Sequence, residues 1–187
     1  MIPDEGQALS LHAKHGSSDR VVEHCRTVAR VSAILSDAIL AQGRRIDARA
    51  TLAGALLHDI GRARTHEVSH GCVGAAMLEG EGVDGVVVEI VRRHVGAGIS
   101  PEEAASLGFP KGDYIPRTVE QRVVCFSDKM VSSDAVRPFE EEVQRFRRKG
   151  HDVQRLLDLK RSLEEDLGED PEGVVLNGFS RAQAAPT

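Results

Sequence analysis

Aromatic side chains are scarce in this 187-residue chain, which has no tryptophan, one tyrosine and five phenylalanines. The core therefore has to be built from Val, Leu, Ile and Ala. Cysteine is equally sparse: Cys25, Cys72 and Cys125 are odd in number and far apart, with no CxxC among them. That excludes a disulfide frame and a zinc knuckle, and reads as buried thiols in a reducing compartment. No apolar run reaches the ~20 residues that span a bilayer, and no basic-then-apolar leader opens the chain, so a soluble, cytoplasmic protein with no membrane partner is expected. The formal charge of −5 excludes bulk attraction to nucleic acid, while leaving a local basic groove open. No internal repeat is present.

What is there begins with length and hydrophobic content, 41% of the residues, which fit one globular domain with a proper core. The most apolar stretch, Leu52 to Leu57, runs into His58-Asp59-Ile60-Gly61-Arg62. It reads as a short, fully buried helix, capped by Asp47 and closed by Gly61 in the C′ position. A carboxylate at such a place normally neutralises, pairs or binds a metal. The dipeptide His58-Asp59 alone is a weak signal. The histidines at helical positions on both sides make it the centre of the reading.

Upstream, Asp4 to Lys14 predicts a short first helix, and Ser18 or Asp19 caps a long second one reaching about Ala41. Its apolar stripe contains Val21, Cys25, Val28, Ser32, Leu35 and Ile39, with His24 at the border and able to point inward. Taken alone, His24 is as well explained by a bond to a backbone carbonyl. Downstream, Ser69 or His70 opens a helix with Val73, Met77 and Leu78 inward, and His70 shares that face. Asp84 caps the next helix, about Gly85 to Val95. Val86-Val87-Val88 favours a strand, but the spacing of Val83, Val87, Ile90, Val91 and His94 favours helix. Ser100-Pro101-Glu102-Glu103 and Thr118-Val119-Glu120-Gln121 are two clear helix starts. The second leads to Asp128 on the shoulder of the stripe Val119, Val123, Phe126, Met130, Val131, where a solvated acid is the plain alternative. Amphipathic charged helices on the outside of the domain account for residues 137–167, with His151 in a surface turn. The segment 169–187 reads as a mobile tail, so the expected organisation is a domain over 1–168 with its core at about 18–135.

His24, His58, Asp59, His70, His94 and Asp128 thus come from five helices, each inward or at a border. Imidazoles and carboxylates without thiolate suit Mn, Fe, Co, Ni, Zn or Mg. Six ligands exceed the needs of one catalytic ion, whereas two ions bridged by the Asp59 carboxylate would use them, at the ~3.5–4 Å separation suited to phosphate-ester hydrolysis. Arg62, directly after the dyad, is placed to contact phosphate bidentately. His66, Arg93 and Lys129 are further candidates for phosphate or leaving-group contacts.

The pattern His24, His58-Asp59-Ile60-Gly61, His70-Gly71-Cys72-Val73-Gly74-Ala75, His94 and Asp128 resembles the HD-domain metal-dependent phosphohydrolases, in particular the HDIG subgroup. His94 to Glu103 is similar to an archaeal-type HDIG group. Many members carry two consecutive histidines where this chain has His94-Val95. The resemblance, over about His24 to Met130, implies an all-α helical bundle. It implies one ion on His24, His58, Asp59 and Asp128, and a second on Asp59, His70 and His94. The implied activity is hydrolysis of a small phosphorylated substrate of nucleotide type by an acidified metal-bound water, with Asp59 at the catalytic centre. Nucleic acid as partner and self-association stay open. Two other classes compete: a non-catalytic module that binds nucleotide or metal, and an oxidative di-iron enzyme.

Overall fold

Side-chain caps set the helix starts. Asp4 caps α1 (Glu5–His15) and Gln7 reciprocates. Ser18 caps α2 (Asp19–Ala41) and Asp47 caps α3 (Ala48–Leu57). A 3₁₀ turn over Ile60–Ala63 leads to α4 (His70–Gly80), and Asp84 caps α5 (Gly85–Arg93). Capping boxes at Ser100–Glu103 and Thr118–Gln121 open α6 (Pro101–Ser106) and α7 (Val119–Lys129). A short antiparallel hairpin follows, β1 (Val131–Ser132) with β2 (Ala135–Val136), then α8 (Phe139–Arg148), α9 (Gln154–Leu167) and α10 (Pro171–Ala184). The computed structural model describes residues 1–184, and the fold among them is an all-α bundle with one two-stranded ribbon. No helix among them is long and apolar enough to cross a membrane.

The long helix α2 is the spine, against which α3, α7, α9 and α10 pack; α3 also meets α1, α5 and α7. Val28, Val31, Leu35 and Ile39 of α2, Leu57 of α3, Ile90 of α5 and Phe126 of α7 are fully or almost fully buried. Each contributes roughly 1.5–3 kcal/mol of transfer free energy. Within α5, Val87, Val88, Ile90 and Val91 are buried while Val86 is exposed. Only a helical period produces that pattern, so the local strand preference of the valines is overridden by packing.

Three local expectations differ from the structure. The buried helix ends at Leu57, and Gly61 lies inside the 3₁₀ turn instead of capping it. Glycine is needed there because a Cβ would sit 2.0 Å from the His70 carbonyl oxygen. Leu52, at the head of the apolar run, is partly exposed. On α4 the inward face is His70, Gly71, Gly74, Ala75 and Leu78, while Val73 and Met77 are half-buried. Small residues hold that face because α4 packs closely on α5 and the 3₁₀ turn.

The segment beginning at Glu169, read from its composition as a mobile tail, carries α10. Val175 is fully buried, and a Cβ on Gly178 would meet the Ile34 side chain of α2 at 2.7 Å. The apolar spacing there is short and interrupted by glycines, so its contact with α2 has no clear sequence signature. Placing a charge at this contact with Val175→Asp is expected to cost about 3 kcal/mol, because an unpaired carboxylate would be buried. Chemical denaturation measures that loss. A chain truncated after Gly168 is expected to melt earlier yet still bind divalent metal at low temperature, since α10 supplies none of the His/Asp cluster.

Candidate metal centre

Helix ends, more than helix middles, deliver the cluster. His58 and Asp59 follow the last turn of α3, His70 is the first residue of α4, and His94 follows α5. His24 sits one turn into α2, and Asp128 is in the last turn of α7. All six sequence-predicted ligands converge. The ligating atoms of His24, His58 and Asp59 lie within 4.8 Å of one another. The same holds for His58, His94 and Asp128, and for Asp59, His70 and His94.

The four imidazoles are held in the same way. Nδ1 of His24 lies 2.8 Å from the Ser133 carbonyl, and Nδ1 of His58 is 2.8 Å from that of Ala55. His70 and His94 each place Nδ1 2.7 Å from a carbonyl, of Glu67 and Val91. A carbonyl only accepts, so each Nδ1 carries the proton and each Nε2 is left as a ligand lone pair. These Nε2 atoms face one another and two carboxylates. His70 and His94 approach to 3.1 Å between Nε2 atoms, and His58 Nε2 and Asp59 Oδ1 are buried without a donor. Lone pairs at such distances repel unless a cation or a proton stands between them. The donor set and these orphaned atoms fit a divalent cation.

Asp59 divides the cluster. Its Oδ2 faces His58 Nε2 at 3.8 Å and accepts a hydrogen bond from Arg62 Nε. Its Oδ1 faces His70 at 3.2 Å and His94 at 3.5 Å. Asp128 Oδ1 lies 3.0 Å from His24 and 3.6 Å from His58, while its Oδ2 accepts from the buried Lys129 ammonium.

Charge follows this geometry. Burial favours the neutral form of Asp59, but the His58 charge and the two imidazoles of His70 and His94 against it hold it well below the usual carboxylate range. Burial acts likewise on Asp128 and is outweighed by Lys129, His24 and His58. Burial pushes His94 down to about 4, leaving it neutral near pH 7. For His24 burial is overcome by the Asp128 hydrogen bond, and for His58 by the Cys25 and Asp59 charges. Both histidines are therefore raised.

Of the other predicted contacts, Arg62, His66 and Lys129 line the same cavity as the cluster, whose volume is about 1090 Å³. Arg62 is engaged through Nε with Asp59, so it positions the carboxylate and offers only the rest of its fork to a ligand. Arg93 does not join them. It is drawn away by Glu89 at 2.9 Å, the Ile115 carbonyl at 3.0 Å and Asp113 at 3.5 Å.

Other participants have a weak sequence signal or none. The turn at Ser133, with φ 59°, supplies the carbonyl that orients His24. His12 of α1 is buried, bonded to the Leu56 carbonyl and to Ser17 Oγ at 2.8 Å each, and steadies the end of α3 beneath the dyad. Its place four residues after the buried Ala8 marks it as inward-facing. Helix α8, expected to be a surface element, forms one wall of the cavity with Arg145, Arg148 and Lys149.

Comparison with protein families matches the HD domain over residues 21–132, which includes all six ligand candidates. Two relatives bear the name tRNA (cytidine(56)-2'-O)-methyltransferase. The one from Thermoplasma volcanium is 36% identical over 176 residues, 93% of this chain and 51% of that protein. The one from Picrophilus torridus is 37% identical over 176 residues, 93% of this chain and 50% of that protein. This chain therefore spans about half the length of these two relatives. A third, from Methanocaldococcus jannaschii and described as an uncharacterized protein, is 44% identical over 125 residues, 67% of this chain and 73% of that protein. No solved structure matches.

Protons and metal compete for Nε2 of His24 and His58, whose raised values keep them protonated above the ordinary histidine range. Affinity for Mn²⁺ is expected to fall as pH drops through those values, by about tenfold per pH unit for each proton displaced. Calorimetry at pH 6 and 8, in buffers of different ionisation enthalpy, reads both the affinity and the released protons. Replacing Gly61→Ala is expected to push the start of α4 away from the 3₁₀ turn. Metal affinity should weaken together with thermal stability, because His70 is the residue the new Cβ meets.

Proposed function

The chain belongs to the HD-domain family, and from that premise we propose that it is a metal-dependent phosphohydrolase of HDIG type acting on a phosphate ester of nucleotide class. The observation that carries this reading is the two-sided Asp59 carboxylate, with Oδ2 toward His58 and Oδ1 toward His70 and His94. In this assignment His24, His58, Asp59 and Asp128 hold one ion, and Asp59, His70 and His94 hold a second. Divalent ions bound there would supply Lewis acidity toward the phosphoryl oxygens and lower the pKa of a water molecule.

The chain's own side chains do the rest. The four Nδ1–carbonyl bonds keep every imidazole in the ligating tautomer. Lys129 and Arg62 fix the orientation of Asp128 and Asp59, and the free edge of the Arg62 guanidinium, with His66, binds and orients the phosphate. Burial of the dyad keeps bulk water from screening these charges. The catalytic unit is assigned to residues 1–168, buttressed by α10, in a cytoplasmic protein.

The names of two relatives favour a connection with tRNA. We assign the methyl transfer in those names to the half of each protein that this chain does not match. The cluster here is a ligand set for a divalent cation. The part played by this chain would then be phosphate chemistry beside an RNA-modifying unit.

Turnover separates catalysis from mere binding. The chain loaded with Mn²⁺ is expected to release phosphate or a nucleotide from a panel of nucleotides and short oligonucleotides. A chain that binds metal stoichiometrically and cleaves none of them is a binding module. The variant carrying both His70→Ala and His94→Ala is expected to keep about one ion and lose at least 100-fold in rate, because transition-state charge loses a cation. Metal analysis alongside the kinetics reads both numbers. Activity within a few-fold of the unmodified chain, at equal metal content, would leave one ion as the working site.

A further inference from the structure

One face of α8 looks into the cavity that the metal centre opens onto. Arg145, Arg148 and Lys149 stand at i, i+3 and i+4, so they are neighbours on the helix surface, and all three line the cavity. Arg145 is anchored, 2.6 Å from the mostly buried Glu142, whose charge also bears on Lys129, the ammonium that grips Asp128. Arg148 and Lys149 are exposed, and among the described residues neither is in an ion pair. An alternation of charge therefore runs from the metal ligand Asp128 through Lys129 and Glu142 to Arg145, and ends on two cations without counter-charges.

This patch is separate from the Arg62 and His66 side, which belongs to the 3₁₀ turn and the loop after it. Glu140 and Glu141, one turn earlier on α8, also line the cavity. Carboxylates beside these cations repel a continuous polyanion. They accept hydrogen bonds from hydroxyl and amino groups of an uncharged unit. The cavity, at about 1090 Å³, lies at the upper limit of small-ligand pockets, roughly 300–1000 Å³.

We propose that Arg145, Arg148 and Lys149 of α8 form a second phosphate subsite, so that the substrate is the phosphorylated end of a nucleic-acid strand. The terminal phosphate lies at the His/Asp cluster, the nucleoside passes Glu140 and Glu141, and the following phosphate meets α8. This rests on the phosphohydrolase reading and specifies its substrate. A nucleoside monophosphate then has nothing for α8 to hold. A nucleoside triphosphate carries its charges contiguously and gains little from a separate patch on α8.

Dissociation constants for AMP, ATP and 5′-phosphorylated diadenylate, measured on the Mn²⁺-loaded full chain with the ligand checked for cleavage, test this. The diadenylate is expected to bind at least tenfold more tightly than AMP. The variant carrying both Arg148→Ala and Lys149→Ala should bring that advantage to within twofold, with AMP changed less than twofold. The slope of log affinity against log salt should fall by about 0.7 for each phosphate that α8 ceases to neutralise. Both side chains are exposed, so the fold is expected to survive, as a melting curve verifies. In a second variant, Arg148→Lys should retain most of the advantage. Equal affinity for AMP and diadenylate, an advantage that survives in the double variant, or an equal α8-dependent gain for ATP would each overturn the subsite. Failure of the phosphohydrolase reading is a different result: none of the three ligands is cleaved, whatever their relative affinities.

Discussion

A carboxylate at the bottom of a helical bundle, with each of its oxygens facing histidine, is the constraint on which the rest of this molecule depends. Asp59 is almost fully buried and remains ionised because the His58 charge and the Arg62 guanidinium stand against it. Its neighbours are four imidazoles whose Nδ1 atoms are all engaged by backbone carbonyls. Their other nitrogens have no choice but to converge. In an apolar interior such a group of lone pairs is unfavourable by itself. A cation filling it would relieve that cost, and metal bound there would then also contribute to folding.

The packing around the dyad follows from this requirement. Three of the four histidines bond a carbonyl three residues upstream, so the ring is locked by the chain segment that carries it. His24 lies in a helix interior, where carbonyls are already used, and instead takes the Ser133 carbonyl from the turn after α7. That turn exists because β1 and β2 reverse the chain immediately after Asp128. The same few residues thus place a candidate ligand and orient the histidine that faces it. Gly61 admits α4 to within contact of the 3₁₀ turn, and His12 braces the end of α3 from below.

The charged C-terminal portion is where composition was least informative. Acid and base in mixed order describe a solvated helix equally well wherever it lies. What gives α8 a role is the direction of one face toward the cavity, and that direction depends on Phe139 and Val143 being drawn into the core. Arg93 shows the reverse. It ends an apolar helix and precedes a candidate ligand, yet three partners on the α5 side and the 113–115 loop hold it outside the cleft. Helix α10 adds a third instance, since a single buried valine and a glycine-allowed approach to Ile34 tie it to α2.

The sequence by itself determined most of the helices, their starts and the residue types of the His/Asp cluster. Helical starts depend on local caps such as Ser18, Asp47, Ser100 and Thr118, and inward faces on a 3.6-residue period, so both are written over short distances. The order His24, His58-Asp59, His70, His94, Asp128 is legible for the same reason: each ligand stands at the border or end of an apolar face. Tertiary structure alone decided which nitrogen of His24 is free and how Asp59 divides its two oxygens. It also decided that Arg93 leaves the site and that α8 enters it. Those outcomes depend on carbonyls and carboxylates far away in the chain, as with Ser133, 109 positions after His24. Distant partners of this kind leave no periodicity in either segment, because hydrogen bonds and ion pairs act across space and not along the chain.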